Sequence, residues 1–155
     1  MLINIVCIES SRPSWTKQAF DSYQSKFNKS ININLKGCKP IPRNKNYDVD
    51  RVIRRESEIL LSNTKKEDIV ISLDKHGKSL DTLKLKDYFE NWLSSSKDIS
   101  FLVGGPDGLS SDCVEQSHLC WSLSDLTFPH SLVPILIIEQ VYRVWSITQN
   151  HPYHR

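Results

Sequence analysis

The stretch Val103-Gly104-Gly105-Pro106-Asp107-Gly108 has the clearest capacity for chemistry in this 155-residue chain, because its glycines let backbone approach a ligand closely. It follows the apolar run Ile99 to Val103, which reads as a strand. A loop in that place lies at the carboxyl edge of an open α/β sheet, where such folds bind ligands. The spacing is neither G-x-G-x-x-G nor G-x-x-x-x-G-K-[ST], so neither phosphate cradle is present, and a tight turn with no ligand reads the same. Two further strand-to-loop junctions, Leu73 to Lys78 and Ser122 to His130, can bring more backbone groups to that edge. In Ser122 to His130, serines and a threonine alternate with Leu123, Leu126 and Phe128 before Pro129 imposes an extended turn. Such a loop can offer backbone donors and acceptors to an adenine while apolar side chains pack its faces. A strand running into the last helix fits the segment equally simply.

The tail Asn150-His151-Pro152-Tyr153-His154-Arg155 has aromatic rings and a terminal cation but no periodicity. Tails of this kind fray, or else stack a ring on an RNA base while the cation holds a phosphate. Other chemistries lack their patterns. The five histidines show no H-x-x-x-H spacing, the four cysteines (Cys7, Cys38, Cys113, Cys120) form no C-x-x-C pair, and no G-x-S-x-G is present. No metal is expected.

These loops need a scaffold, and the chain alternates short apolar runs with stretches of helical period, which predicts a largely parallel sheet flanked by helices in one domain spanning 1–155. Strands are expected over residues 2–8, 31–36, 69–73, 99–103 and 121–126, and helices near 83–93 and 112–119. Trp15, Ala19, Phe20, Tyr23 and Phe27 mark one face of a first helix, and Val49, Val52, Ile53, Ile59 and Leu60 mark a second, with a loop from Pro40 to Tyr47 before it. The last helix, Leu132 to Thr148, is apolar on most sides and calls for broad burial, in the core or against a second copy of the chain. Pro134 falls in its first turn, where a missing N–H is tolerated.

Net charge is only +2, but seven basic residues from Lys36 to Arg55 face two acids in the same segment. Such a local excess suits a phosphate-bearing partner, because nucleic acid affinity comes largely from neutralised phosphates; a solvated loop and helix face looks identical. The N-terminal apolar run is too short for a signal sequence or membrane span, so a cytoplasmic protein with reduced thiols and no membrane partner is expected.

The strings LVGGPDGLS at 102–110, WSLSDLTFPHSLV at 121–133, EQVYRVWSI at 139–147 and NHPYHR at 150–155 resemble the RlmH family of the SPOUT, or α/β-knot, RNA methyltransferases, and the similarity covers essentially the whole chain. That resemblance implies a deep trefoil knot in the C-terminal half and a homodimer. It implies S-adenosylmethionine as cofactor, with S-adenosylhomocysteine as product, held by Leu73, Gly104, Gly105, Leu123, Ser124, Asp125, Leu126, Thr127 and Phe128. The implied substrate is a pseudouridine in the helix 69 loop of 23S ribosomal RNA, methylated at N3 in the assembled ribosome. His130 is the candidate general base, since imidazole ordinarily titrates near neutral pH, although a histidine bonded to local backbone fits the position too. Candidate RNA contacts are Arg43, Lys45, Arg143, His151, Tyr153, His154 and Arg155. Another RNA such as transfer RNA, or ribosome binding without catalysis, are the alternatives. Members commonly carry Gly-Lys after the first strand and an arginine where Pro134 stands; this chain has Glu9-Ser10 and the proline, and its basic loop reads Pro42-Arg43-Asn44-Lys45-Asn46 without the usual glycine.

Overall fold

The computed structural model describes residues 1–155 and contains one five-stranded sheet, all of whose pairings are parallel, in the order β2-β1-β4-β3-β5. The strands are β1 (Leu2–Ile8), β2 (Asn32–Cys38), β3 (Ile69–Ser79), β4 (Ile99–Val103) and β5 (Leu119–Ser122). Five helices connect and follow them: α1 (Ser14–Gln24), α2 (Val49–Leu61), α3 (Thr82–Ser95), α4 (Ser111–Glu115) and α5 (Val133–Thr148). Central strand β4 is buried at every residue because helices cover both sheet faces, which is why it reads as an unbroken apolar run. Ile3, Ile5, Phe101 and Ile71 point to the side of α1, α3 and α5, where Phe89, Trp92, Ile138 and Val141 complete the larger core. Val6, Ile8, Val70 and Leu102 point the other way and pack with Leu60 of α2 and Cys113 of α4. Burial raises the thiol pKa of Cys7, and pushes that of Cys113 up to about 11 with help from nearby Cys120, so both stay protonated packing groups.

Helix boundaries follow local chemistry. Asp48, Asp81 and Ser110 cap α2, α3 and α4 by accepting from the backbone N–H of Arg51, Lys84 and Cys113. The last helix is preceded by a 3-10 turn, His130–Leu132, and Pro134 sits in its first turn as expected. Ile137, Ile138, Val141, Val144 and Trp145 are buried against α1 and α3, while Leu132, Ile135, Leu136 and Ile147 remain half-buried. Gln24 Nε2 at the end of α1 donates to Ile33 O at 2.5 Å, occupying a carbonyl of edge strand β2.

Four expectations need correction. Trp15 is 55% exposed, and Thr16 is turned inward in its place, its hydroxyl donating to Pro13 O; α1 ends at Gln24, and Phe27 packs on Tyr142 and Trp145 from beyond the helix. The helix near 112–119 is a single turn, because His118 and Leu119 are drawn into the sheet: His118 Nδ1 accepts from Val70 N and His118 N donates to Val70 O. The strand expected over 121–126 is Leu119–Ser122, since Ser124 turns the chain by accepting from Leu126 N. Finally, β3 does not stop at Leu73. It bulges over residues 74–77, so that both Leu73 and Lys78 pair with Trp121, and continues to Ser79. Gly77 permits this crossing, because a Cβ there would lie 2.8 Å from the backbone of Cys120 and Trp121.

Candidate cofactor cavity and acceptor site

The β4 loop is a closed turn. Gly108 N donates to Gly105 O at 3.0 Å, with proline and aspartate between them, and Gly108 has φ +87°, a conformation that favours glycine. Gly104 is required for a different reason, since a Cβ there would lie 2.8 Å from Gly108 O. Against this turn lie the β3 bulge and the segment after β5, and the three together enclose a cavity of about 570 Å³. All nine residues expected to hold the cofactor, Leu73, Gly104, Gly105 and Leu123 to Phe128, line it. Asp74, Lys75 and His76, from the junction that the sequence placed at this edge, line it too, as does Trp121, which reads in the sequence as part of a strand. The indole Nε1–H of Trp121 is buried without a partner in this wall, a donor that a polar ligand would satisfy. This orphan donor, the close-packed glycines and the volume fit a nucleoside-sized group.

His130 does not line this cavity. It lies beside a second one of about 580 Å³, walled by the chain after β1 (Glu9, Ser10, Ser11, Pro13), by Pro40, Ile41, Pro42 and Arg43, and by Pro106 and Ser131. Pro106 lines both cavities, so the two adjoin at that residue. His130 Nε2 is buried and unpartnered, which removes the reading of a histidine satisfied at that nitrogen by local backbone. Arg12 forms an ion pair with Glu9, which lines this cavity, and its Nε is likewise buried without a partner.

The expected RNA contacts fall into three groups. Lys45 is exposed on the basic loop, as are Lys36, Lys39, Arg51, Arg54 and Arg55. Arg43 is turned inward, bonded to Glu56, Asp107 and Ile41 O. Arg143 is also held within the chain, donating to Glu139 Oε1 at 3.0 and 2.5 Å and lying over the Tyr153 ring at 5.2 Å. The tail is docked: Tyr153 bonds Tyr23 Oη and Glu139 Oε1 and packs edge-on against Tyr142, with Lys26 Nζ near all three rings. Burial, then the Tyr23 bond, raises the phenol pKa of Tyr153. His151, His154 and Arg155 are exposed beside it. The tail folds back along α5, so that Tyr153 meets Glu139, only six residues, or about 9 Å at 1.5 Å per residue, from Val133 at the wall of the first cavity.

No three histidine, cysteine, aspartate or glutamate side chains converge as a metal site, and no helix is long and apolar enough to cross a membrane. The family model described as "Predicted SPOUT methyltransferase" matches residues 1–154. Relatives named "Ribosomal RNA large subunit methyltransferase H" from Coxiella burnetii, Thioalkalivibrio sulfidiphilus and Methylococcus capsulatus are 39%, 38% and 37% identical over the whole chain, covering 100%, 99% and 100% of their own lengths. Chains this similar over their full length share a fold and a family, and the parallel sheet with its three carboxyl-edge loops agrees. The chain belongs to the SPOUT methyltransferases, among the relatives named ribosomal RNA large subunit methyltransferase H.

Proposed function

We propose that this protein methylates N3 of a pseudouridine in the helix 69 loop of 23S ribosomal RNA, in assembled ribosomes of the cytoplasm, with S-adenosylmethionine as donor. The observation that carries the reading is the convergence of Leu73, Gly104, Gly105 and Leu123 to Phe128 on one cavity. Bound there, the cofactor supplies a methyl group on a sulfonium, and S-adenosylhomocysteine is the product. Gly104 and Gly105 present backbone to the ligand from a turn that their lack of side chains allows to close, Leu123 and Phe128 pack it, and Trp121 Nε1–H offers a donor from the wall.

The acceptor base occupies the neighbouring cavity beyond Pro106, between the proline faces of residues 13, 40 and 42. There His130, whose Nε2 is unpartnered, would take the N3 proton, and S-adenosylmethionine held in the first cavity would supply the methyl group. Most of the rate gain comes from holding two reactants in line, because a sulfonium is already an activated donor. Lys45 and the other exposed cations of the basic segment hold phosphates.

His151, Tyr153, His154 and Arg155 serve the acceptor site, across a dimer in this reading, since Tyr153 is docked on α5 and the other three are exposed beside it. The half-buried Leu132, Ile135, Leu136 and Ile147 supply the face on which two α5 helices meet antiparallel, bringing each tail to the other's cavity. The fold then includes a C-terminal trefoil knot in a single domain. In support, α5 follows edge strand β5 yet packs against both α1 and α3, so the segment 123–132 crosses the carboxyl edge where the β4 loop emerges.

Incubation with methyl-labelled S-adenosylmethionine and ribosomes lacking this modification, separated subunits or bulk transfer RNA tests the proposal, with label mapped by nuclease digestion and mass spectrometry. Label on the helix 69 pseudouridine is expected. Label only on transfer RNA would move the enzyme to another substrate, and ribosome binding without cofactor binding would make it a non-catalytic ribosome factor.

A further inference from the structure

Arg43 stands in the basic loop, where an arginine would ordinarily be read as a phosphate contact, yet all three guanidinium nitrogens are engaged within the chain. Nη1 donates to Glu56 Oε1 at 2.7 Å and to Ile41 O at 3.1 Å, Nη2 to Glu56 Oε2 at 3.0 Å, and Nε to Asp107 Oδ2 at 2.9 Å. Glu56 has no exposed surface, and a carboxylate so buried is tolerable only with a partner of this kind. It also accepts from Ile41 N at 3.0 Å, so both ends of the basic loop's first turn hang on it. Asp107 is the third residue of the Gly105–Gly108 turn, and Tyr47, at the far end of the basic loop, donates to the same carboxylate at 3.1 Å. The turn rests directly on this ion pair: a Cβ at Gly105 would lie 2.5 Å from Glu56 Oε2 and 3.2 Å from Arg43 Nη2. Gly105 is therefore small because the Arg43–Glu56 pair fills the space beneath it.

We infer that Arg43 is a positioning residue for the cofactor turn, holding Gly105 to Gly108 in the shape that receives the ligand, and not a phosphate contact. The inference rests on the cofactor reading of the larger cavity. Lysine cannot take its place, because one ammonium supplies no fork to grip Glu56 and reach Asp107 together. Tyr47 still holds Asp107 when the arginine is lost, so the turn is loosened and not released, and Glu56 is left buried without its cation, a loss of stability that a melting curve reads.

Titration of S-adenosylhomocysteine into the wild type, Arg43→Lys and Arg43→Met by calorimetry, alongside filter binding of each to cofactor-free ribosomes over a salt series, tests this. Arg43→Met is expected to weaken S-adenosylhomocysteine roughly tenfold and Arg43→Lys roughly threefold, the loss of one to a few hydrogen bonds to charged groups. Ribosome affinity and its salt slope should stay as in the wild type, since no phosphate contact is lost. The opposite pattern, unchanged S-adenosylhomocysteine affinity with weaker ribosome binding and a salt slope shallower by about one, would overturn the inference. If a melting curve shows that Arg43→Met does not fold, Asp107→Asn decides: it keeps the side chain's size while removing the charge that Arg43 grips, and its effect on S-adenosylhomocysteine must be less than additive with Arg43→Lys. Full additivity would also overturn the inference. A wild type that binds no S-adenosylhomocysteine would instead sink the cofactor reading itself, which separates the two failures.

Discussion

The carboxyl edge of the sheet and the C-terminal tail are held by different kinds of interaction. At the edge, the decisive contacts are between backbones: Gly104 beneath Gly108 O, Gly77 against Cys120 and Trp121, and Gly108 N closing its turn on Gly105 O. At the tail, side chains do the holding, with Tyr153 between Tyr23, Glu139, Tyr142 and Arg143. A backbone site has no slack, because any added atom must displace main chain. A side-chain cluster can lose one member and keep the rest, so substitutions should be steep in the first region and graded in the second.

The steepest expected effect is that of Gly104→Val, whose branched side chain meets Gly108 O; cofactor binding measured by calorimetry should fall by roughly a hundredfold or more, beyond the range of one lost hydrogen bond. Retained binding would show that the turn yields, and the contrast between the regions would collapse. Removing residues 150–155 should lower methylation of ribosomes by roughly a hundredfold, as expected for loss of substrate positioning, with cofactor affinity unchanged. A parallel loss of cofactor affinity would join the two regions into one. Tyr23→Phe removes only one bond to Tyr153, and a fall in activity of roughly threefold to tenfold fits one hydrogen bond; a larger loss would mean the cluster lacks its redundancy.

The mildest effect is one of pH. Docking favours the neutral phenol of Tyr153, so its folded pKa is raised, and its contribution is fully present below the ordinary tyrosine range of about 10 and lost as pH rises through the folded value. Proteolysis of the tail, followed by mass spectrometry, should accelerate in that alkaline window in the wild type and be already fast at neutral pH in Tyr153→Ala.

The two regions also differed in how far the sequence disclosed them. Gly104 and Gly108 were legible because strand, glycine and position in an α/β chain together specify a ligand edge, and all nine residues expected to hold the cofactor line one cavity. The length of β3 was not, because Asp74 to Gly77 is polar and glycine-containing, which reads as loop, although a bulge uses the same residues. Glu56 was hidden for another reason: on the α2 pattern it sits among Arg54, Arg55 and Glu58, and nothing in that run distinguishes a buried carboxylate from a solvated one. The inward bonds of Arg43 were hidden with it, since composition counts a cation but not the direction it faces. The tail cluster joins Tyr23 to Tyr153 across 130 residues, a separation no local pattern encodes.

The strand order carries a consequence for synthesis. β1 lies between β2 and β4, and Ile3 pairs with Ile33 on one side and Ile99 on the other. A nascent chain completes β2 by Cys38 but cannot close the other side of β1 until Val103 has emerged. At about 5–20 residues per second, this leaves an apolar strand with one bare edge for several seconds, while α2, β3 and α3 are still being made. Gln24, bonded to Ile33 O, already occupies a carbonyl on the opposite edge of the β1–β2 pair during that interval, so the unfinished parallel pair offers one fewer acceptor to a neighbouring nascent chain on the same message.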